Sequence, residues 1–383
     1  MKICFFAESF VPRMDGASTA TFYLVQQLAK EGHEVLLFAP RVKGWRKIEI
    51  EGVELVYLPS VPVLVYPDTN LGLLTPKLIV KINKFQPDVI HVTHPGTLGL
   101  LGTMFARLQK VPLIGTFHWD LSDLDLYGVK YLAEPLGNIV WKMLKDFYQK
   151  CDLVISPSKQ VRQDLINQEF EVPVMAINNP IALNVKDVDQ VEFTRASEQY
   201  SQPGKKTVLY VGRLAIEKNL KILLKIFQKV QEQLPNQVQF LLVGDGPQRE
   251  DLENLAQELQ LNAIFTGKFK HHELIAKGIY QLGDLFVTCS KSEVQPMSMI
   301  EAMQFGLPIV AAQATGMAEM VGDNGILVDP DNLDEFAQQI VYVLQDDKLR
   351  AAMSQAALKK GQEYDVVQVA KKHVQVYQEL ISK

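Results

Sequence analysis

Short apolar runs alternate along this chain with longer stretches in which apolar residues recur at helical spacing. The first half contains the runs KICFFA, EVLLFA, VELVYL, VIHVT, LIGTF, LVISP and VMAIN, and the second half contains VLYVGR, FLLVGDG, AIFTG, LFVTC, PIVAA and GILVD. Segments such as TFYLVQQLAKEG and TPKLIVKINKF lie between the runs and have one apolar face. This alternation predicts an α/β protein with parallel sheets that are covered by helices on both faces.

A break in the pattern predicts two domains. At 383 residues the chain is too long for one typical core. Asn178-Asn179-Pro180 interrupts regular structure, and the polar stretch VKDVDQVEFTRASEQYSQPGKK after it lacks a sustained apolar face. We therefore place one domain at residues 1–180, a second at 181–363, and a final helical segment at 364–383.

Composition excludes several classes of protein. Hydrophobic residues make up 47% of the chain, charged residues 22%, and the net charge is −5, so nothing favours nucleic acid as a partner. The cysteines at positions 4, 151 and 289 lie in or beside apolar runs, as buried free thiols do, and no spacing suggests a metal site. The apolar start is too short for a secretory signal, and no run reaches the roughly 18 residues of a spanning helix. We expect a cytoplasmic protein with at most peripheral membrane contact.

The strongest chemical signal is the stretch SEVQPMSMIEAM. Glu293 and Glu301 have seven residues between them; Glu293 lies at the rim of the strand VTCS, and Glu301 lies inside a helix predicted from Met297 to Phe305. Free amides at such a helix start attract phosphate, and carboxylates accept hydrogen bonds from hydroxyl groups. The pair suits a ligand that is part sugar and part diphosphate. The alternative is that a glutamate in the first helical turn only complements the helix dipole.

Three other strand ends in the second half carry candidate groups. Arg213 and Lys218 leave one loop before a helix, so two cations can meet one diphosphate, unless the loop is simply solvated. Gly244 opens a tight turn whose structural interpretation is the stronger one. Lys268 and Phe269 follow the strand AIFTG, where backbone groups can meet a nucleobase edge.

The first half offers a glycine and a histidine. Gly16 precedes a helix for which Ser18 and Thr19 are the expected N-caps, and its backbone can approach an anion. No G-x-G-x-x-G occurs in this loop, which argues against a dinucleotide site. His118 follows the strand LIGTF and is expected to point into the ligand crevice, whereas His91 lies within a strand and is a candidate for the core.

The segments GRLAIEKN, LLVGDGP, FTGKF, GDLFVTCS and SEVQPMSMIEAMQFGLPIVAA occur in the order and spacing typical of family-4 retaining glycosyltransferases, which the chain resembles over nearly its whole length. The resemblance implies the GT-B fold, with two doubly wound Rossmann-like domains facing across a cleft. It also implies that the first domain binds the acceptor, that the second binds the nucleotide sugar, and that the last helix crosses back to the first domain.

The same resemblance implies roles for individual residues. Arg213 and Lys218 would bind the donor diphosphate, Glu293 the donor sugar and Glu301 the ribose hydroxyls. Gly16 would touch the phosphates and His118 would lie near the reacting carbon. The remaining donor contacts are predicted at Gly244, Lys268, Phe269, Met297, Ser298 and Met299. Members often have Gly-Leu-Val where this chain has Gln295-Pro296-Met297-Ser298, and Pro296 has no N–H to offer.

On the acceptor side, IHVTHPGTLGLLG, GTFHWD and VISPSKQVRQDL are similar to the glycolipid-forming branch that glycosylates diacylglycerol, including sulfoquinovosyl transferases. Basic and aromatic groups that suit an anionic membrane surface are Arg41, Lys43, Trp45, Arg46, Lys47, Trp141 and Lys145. A solvated turn at 41–47 and an ordinary core helix around Trp141 are the alternatives.

We therefore expect a retaining glycosyltransferase that moves a hexosyl unit from a UDP-sugar to a diacylglycerol-type lipid. The reaction is expected at the inner face of the membrane. The donor is a co-substrate, and no metal or other cofactor is expected, although Asp123-Leu-Asp125 has the letters of a metal motif in a different context. The alternatives are a soluble or polysaccharide acceptor, a nucleotide-sugar epimerase, a dinucleotide oxidoreductase and a noncatalytic binder.

Overall fold

The computed structural model describes residues 1–11, 16–42, 48–62, 70–118, 133–183, 185–291, 293–314 and 316–383. They divide into two compact units. Unit 1 contains the described residues up to His118, those from Ala133 to Ala182, and Tyr364–Lys383, while unit 2 contains those of Leu183–Glu363.

Unit 1 is built on a seven-stranded sheet in which every described pair is parallel. Its strands are β1 (Lys2–Phe6), β2 (Glu34–Pro40), β3 (Val53–Leu58), β6 (Val89–Val92), β7 (Leu113–Thr116), β8 (Leu153–Ser156) and β9 (Val174–Ala176), with β4 (Ser60–Pro62) and β5 (Asn70–Gly72) forming a separate antiparallel hairpin. The order across the sheet is β3-β2-β1-β6-β7-β8-β9. The helices between them are α1 (Gly16–Lys30), α2 (Pro76–Phe85), α3 (Thr97–Gln109), α4 (Ala133–Tyr148) and α5 (Lys159–Asn167).

Unit 2 repeats this architecture with a six-stranded parallel sheet in the order β12-β11-β10-β13-β14-β15. Its strands are β10 (Lys206–Val211), β11 (Val238–Val243), β12 (Ala263–Gly267), β13 (Leu285–Thr288), β14 (Ile309–Ala312) and β15 (Gly325–Val328). Its helices are α6 (Gln190–Tyr200), α7 (Leu220–Gln233), α8 (Arg249–Glu258), α9 (His271–Ala276), α10 (Met297–Gln304), α11 (Leu333–Gln345) and α12 (Asp347–Gly361). The predicted α/β class with two doubly wound parallel sheets is confirmed.

The polar stretch after Pro180 contains helix α6, which the apolar pattern does not reveal. Asp189 caps this helix by accepting hydrogen bonds from the amides of Val191 and Glu192, at 2.9 and 3.0 Å. Ala196 is the only residue of the helix that is fully buried. The helix therefore depends on its cap and on local propensity more than on an apolar stripe.

The last helix, α13 (Val366–Ile381), belongs to unit 1. Asp365 caps its start through the amides of Val367 and Gln368. Val369 and Tyr377 are fully buried in the same apolar cluster as residues of β1, β2 and α1. The 16 residues of this helix therefore complete the core of unit 1.

Candidate active site

In unit 2 the first carboxylate of the E-x7-E stretch meets the cation of a distant loop. A short 3₁₀ turn, Ile216–Lys218, follows β10 and carries Lys218. Its Nζ lies 2.6 Å from Oε1 of Glu293, and both side chains are largely buried, with 22% and 14% exposed. Two positions that are 75 residues apart in the chain therefore form one partly desolvated ion pair.

The second carboxylate, Glu301, is buried and held from two sides. Its Oε1 lies 2.8 Å from Nε2 of His271, and its Oε2 accepts a hydrogen bond from the hydroxyl of Tyr280. The Tyr280 ring stacks on Phe305 with ring centroids 5.5 Å apart. A carboxylate has about four lone-pair sites, so it can accept further hydrogen bonds from a ligand while these two remain.

The carboxylate of Glu301 also controls the charge of His271. Burial alone would lower the pKa of this histidine, but the hydrogen bond and negative charge of Glu301 outweigh it and raise the pKa above its usual value of 6.5. Sequence reasoning did not find His271 or Tyr280, because their spacing from Glu301 follows no pattern along the chain.

Helix α10 begins at Met297, as the sequence predicts. Pro296 occupies the N-cap position, and its carbonyl oxygen accepts a hydrogen bond from the amide of Met299 at 3.1 Å. The amides of Met297 and Ser298 occupy the positions that have no acceptor within a helix, so they are the groups that can face an anion. Met299 is fully buried and its amide already donates to Pro296, so it supports the helix start instead of offering a group to a ligand.

Glycines keep the ends of β10, β11 and β12 free of side chains. Gly244 has φ 144°, and a Cβ there would lie 1.8 Å from the carbonyl oxygen of Gly212. Its amide donates to the carbonyl oxygen of Gly267 at 3.1 Å. Gly244 is therefore required by the close approach of neighbouring backbones, which supports the structural interpretation of this turn.

The other predicted donor groups of unit 2 lie around these strand ends. Arg213 is exposed, and its carbonyl oxygen accepts a hydrogen bond from Tyr210 at 3.1 Å. Lys268 is exposed directly after β12. Phe269 is half-buried and meets Tyr200 edge to face, with centroids 6.1 Å apart. The carboxyl edge of this sheet therefore presents cations and one aromatic ring.

Unit 1 has a pocket of its own at the carboxyl ends of its strands. Its polar lining comes from Thr21, His91, Thr93, Thr116, His118, Asn178, Asn179 and His373, and its apolar lining comes from Phe5, Ala20, Leu24, Ile155, Ile177 and Pro180. The ring of His118 lies 5.8 Å from that of His94. The structure thus places His118 in a pocket, as its position after a strand indicates.

Two further histidines form the floor of this pocket. His91 is buried, with Nδ1 2.7 Å from the hydroxyl of Tyr377 and Nε2 2.6 Å from Oγ1 of Thr116. Burial first, and then the neighbouring His373 and His118, hold the pKa of His91 well below its usual value. Burial lowers the pKa of His373 to about 4. Both rings are therefore neutral near pH 7 and join α13 to the sheet.

The structure corrects the predicted N-caps of α1 and gives Glu8 a structural role. Helix α1 begins at Gly16, so Ser18 and Thr19 lie inside its first turn and are buried; the expectation that they cap the helix is wrong. Glu8 was not predicted as a structural anchor. Its buried carboxylate accepts hydrogen bonds from the amides of Gly72 and Leu98, at 3.0 and 2.8 Å, and so occupies the start of α3.

Two models of known families match the chain, one in each half. The model described as Glycosyltransferase Family 4 matches residues 14–185, and the one described as Glycosyl transferases group 1 matches residues 192–360. The alpha-monoglucosyldiacylglycerol synthase of Streptococcus pneumoniae is 30% identical over 331 residues, which cover 84% of this chain and 74% of that protein. The chain belongs to glycosyltransferase family 4.

A second relative and a solved structure are also similar to this chain. The sulfoquinovosyl transferase SQD2 of Arabidopsis thaliana is 30% identical over 331 residues, which are 83% of this glycosyltransferase but only 62% of that protein. The solved sucrose-phosphate synthase from Thermosynechococcus elongatus superposes with a TM-score of 0.77 and covers 100% of this chain and 99% of its own. At 21% identity that likeness shows the fold alone, and the fold is GT-B.

The groups predicted to meet a membrane are only partly described in this glycosyltransferase. Lys43, Trp45, Arg46 and Lys47 lie outside the described residues. Arg41 is exposed, with its carbonyl oxygen accepting from Asn70 Nδ2 at 3.2 Å.

Trp141 and Lys145, the other predicted membrane contacts, make contacts with residues of unit 1. The ring of Trp141 stacks on Phe117 at 6.3 Å and meets Phe170 edge to face at 6.4 Å. Lys145 donates to the carbonyl oxygen of Gln168 at 3.2 Å. These contacts favour the alternative that α4 is a core helix on this side.

No group of His, Cys, Asp or Glu side chains within the described ranges could hold a metal ion. The three cysteines are buried and free, and burial raises the pKa of Cys151 to about 12. In the part of the chain that the structure describes, no helix is both long and apolar enough to cross a bilayer.

Proposed function

We propose that this glycosyltransferase moves a hexosyl unit from a UDP-sugar to a membrane lipid of diacylglycerol type, with retention of the anomeric configuration. The observation that carries the proposal is the 2.6 Å pair between Lys218, in the turn after β10, and Glu293, in the loop that leads to α10. A cation, a carboxylate and a helix start that these two loops bring together match the three parts of a nucleotide sugar.

Donor binding requires Lys218 to change partner. In the structure its charge is balanced by Glu293, so an arriving diphosphate competes for the ammonium group and leaves the Glu293 carboxylate to accept hydrogen bonds from sugar hydroxyls. Arg213 and the amides of Met297 and Ser298 supply further positive potential. As the bond between the sugar and the diphosphate breaks, negative charge develops on the departing oxygen, and these groups stabilise it.

The nucleoside is proposed to lie on Glu301. Ribose hydroxyls donate to its oxygens, while Tyr280 and His271 hold the carboxylate in one orientation. Lys268 and Phe269 at the end of β12 are the proposed neighbours of the base. No bound metal ion has a role in this account, because lysine, arginine and helix amides provide the positive charge.

The acceptor part of the proposal is supported by the named relatives, which include an alpha-monoglucosyldiacylglycerol synthase and a sulfoquinovosyl transferase. The acceptor hydroxyl oxygen forms the new bond to the anomeric carbon on the face that the diphosphate leaves, and its proton passes to the departing diphosphate. His118, in the pocket of unit 1, is the proposed group beside the reacting carbon. Catalysis would take place at the inner face of the membrane.

A donor and acceptor panel tests the proposal. Purified protein is incubated with UDP-glucose, UDP-galactose, UDP-sulfoquinovose or GDP-mannose, with and without dioleoylglycerol vesicles, and lipids are identified by mass spectrometry. We expect a hexosyl-diacylglycerol from at least one UDP-sugar. Nucleotide release without any lipid product would contradict the lipid acceptor, and product from GDP-mannose alone would contradict the UDP donor.

A second candidate is a sugar-bearing or other soluble acceptor. Threonine, asparagine and histidine side chains in the pocket of unit 1 can form hydrogen bonds with hydroxyl groups, beside an apolar lining that includes Phe5, Leu24 and Ile155. Adding glucose, maltose and a monoglycosylated lipid to the same panel separates the candidates. Transfer to a free sugar at a rate above that for dioleoylglycerol would establish the second candidate.

A further inference from the structure

One short segment after β12, residues 271–280, contacts both oxygens of the Glu301 carboxylate. We propose that His271 is a positioning residue for donor binding: as an imidazolium it orients Glu301 and balances its charge, so that a donor binds with uptake of a proton. The proposal rests on the proposed function in one respect, because it places the ribose of the donor on Glu301. It gives a role in binding to a residue that sequence reasoning did not select.

His271 has a defined position because the segment that carries it is anchored at both ends. It is the first residue of α9, and the carboxylate of Glu273 accepts a hydrogen bond from the amide of Lys270 at 3.0 Å, which closes the start of this helix. At the other end, the carbonyl oxygen of Ala276 accepts a hydrogen bond from the amide of Asp189, just before α6, at 2.9 Å. A ring on this segment can therefore hold a carboxylate in one orientation.

The two side chains that contact Glu301 differ in the charge that they can bring. The hydroxyl of Tyr280 donates to Oε2 and adds no charge to the site. The ring of His271, whose Nε2 lies 2.8 Å from Oε1, can also carry a proton that balances the carboxylate. Tyr280 therefore orients Glu301 at any pH near neutral, whereas the contribution of His271 depends on the pH.

The surroundings of His271 favour its charged form. The side chains of His271 and Glu301 are 22% and 6% exposed, so water screens their interaction only weakly. Burial opposes a charge on the ring, but the hydrogen bond and the negative charge of Glu301 raise the pKa of His271 above 6.5. At pH 6.5 more than half of the rings are therefore charged.

Other charged groups of the segment have partners away from the ring. Lys270 lies 3.4 Å from Glu273, and Lys277 lies 2.7 Å from Glu192 of α6. Glu301 accounts for the raised pKa of His271. The titratable groups on the segment and in contact with it are Glu301 of α10, Glu192 of α6, and Lys268, Lys270, His272, Glu273, Lys277 and Tyr280 of the segment and its flank.

The charge of His271 changes what an arriving donor meets. The diphosphate of a nucleotide sugar is negative, so it is repelled by an unbalanced carboxylate and not by a neutral ion pair. A neutral ring can still donate through Nε2, so loss of the proton removes the charge and keeps the hydrogen bond. Donor affinity is therefore highest below the pKa of His271 and falls as the pH rises through it, and binding near that pH takes up a proton.

Calorimetry with UDP-glucose at a series of pH values tests the proposal. UDP-glucose is used instead of UDP because it has no terminal phosphate that titrates near neutral pH. Wild-type affinity should fall roughly threefold to tenfold between about pH 5.5 and 8.5, the effect of one charge on another across several ångströms of partly screened protein. Titrations in two buffers with different heats of ionisation should show that binding takes up protons.

Three substitutions separate the charge of His271 from its hydrogen bond. His271→Gln keeps a donor without a charge, so affinity should no longer depend on pH and should match that of the wild type at high pH. His271→Lys carries a charge that does not titrate in this range, so affinity should be independent of pH and higher than in His271→Gln. His271→Ala loses both and should bind more weakly than His271→Gln at every pH. In each variant KM for the donor should change while kcat stays at the wild-type value.

The matched control is His272→Gln, which removes the adjacent, exposed histidine. It should keep the affinity, the pH dependence and the proton uptake of the wild type. Wild-type affinity that is the same at every pH, or a His271→Gln variant that keeps the pH dependence of the control, would overturn the proposal and leave the proposed function standing.

Failure of the proposed function looks different. The wild type would then bind UDP-glucose with the expected pH dependence, His271→Gln would lose that dependence, and no sugar would reach any acceptor. That result would support the role of His271 and contradict the transfer reaction. Absence of UDP-glucose binding at every pH would overturn both.

Discussion

At the scale of single residues, the proposed mechanism depends most on the pair of Lys218 and Glu293. The ammonium group is largely buried, so its charge acts through little water, and it is held 2.6 Å from a carboxylate that, in the proposed mechanism, it leaves when the donor binds. The carboxylate thereby keeps a charged lysine in place before any ligand arrives.

Lys218→Ala should lower turnover by about 30-fold to 1000-fold, because removing one group that stabilises a leaving charge costs roughly 2–4 kcal/mol. The control is Lys221→Ala, which removes an exposed lysine three positions along the chain that pairs with Asp251. That variant should keep wild-type kinetics. Steady-state rates of nucleotide release measure both, and equal rates in the two variants would remove Lys218 from the site.

The two glutamates should fail in different ways. Glu301→Gln should weaken UDP binding by roughly 10-fold to 100-fold, because hydrogen bonds to a charged group are worth about 1.5–3 kcal/mol. Glu293→Gln should leave UDP affinity unchanged or slightly higher, since it frees Lys218 for the diphosphate, while it slows sugar transfer. Calorimetry with UDP alone decides the point, and equal losses of affinity in both variants would refute the division of roles.

Tyr280→Phe tests the support of Glu301 separately. The stacking on Phe305 survives this change, whereas the hydroxyl that donates to Glu301 is lost. We expect UDP affinity to fall by a smaller factor than in Glu301→Gln, with an unchanged rate at saturating donor. A normal affinity for UDP would show that this hydrogen bond does not orient the carboxylate.

At the scale of elements, α13 is joined to the sheet of unit 1 by neutral histidines. Because the pKa of His373 is lowered from 6.5 to about 4 in the folded protein, the unfolded chain binds more protons between these values. Stability is therefore complete above pH 6.5 and is lost as pH falls toward 4, by up to about 3 kcal/mol for this residue. His91, whose pKa is also lowered, acts in the same direction.

His373→Gln removes one of these titrating groups and keeps a side-chain donor for the carbonyl of Val369. The free energy of unfolding of the variant should fall less steeply between pH 6.5 and 4 than that of the wild type. Urea unfolding at a series of pH values measures both curves. Parallel curves would mean that His373 does not titrate on unfolding, whatever the variant's absolute stability.

Much of the element pattern could be predicted from the sequence, and particular residues show why the rest could not. The strands are buried on both faces and form continuous apolar runs, so they could be predicted from the sequence. The start of α10 could be predicted because the helix follows Pro296. Helix α6 was missed because it buries only Ala196 fully. His271 and Tyr280 contact Glu301, and Glu8 binds the start of α3, across long distances in the sequence. No local spacing therefore predicts these contacts.

Membrane contacts were also difficult to predict from the sequence, because burial cannot be read from residue type alone. Clustered Lys, Arg and Trp are conspicuous in a sequence, which drew attention to the segment at 41–47 and to Trp141. Trp141 is half-buried, and its ring packs on Phe117 and Phe170.

At the scale of the whole molecule, two parallel-sheet units each have their own core and their own cluster of candidate groups. Membership of glycosyltransferase family 4 and the GT-B fold are shown, whereas the donor, the acceptor and the assignment of each to one unit stay predictions. Unit 2 holds the lysine, the two glutamates and the helix start. Unit 1 holds the pocket with His118.

The most direct test of this account is the anomeric configuration of a lipid product. Dioleoylglycerol vesicles are incubated with UDP-glucose labelled with ¹³C at the anomeric carbon, with wild-type protein and with Lys218→Ala, and the extracted lipid is analysed by NMR; the other UDP-sugars follow in the same form. We expect a glycosyl-diacylglycerol with the configuration of the donor, formed by the wild type and nearly absent in the variant. An inverted product, or a labelled sugar that reaches only water-soluble acceptors from every UDP-sugar, would contradict it.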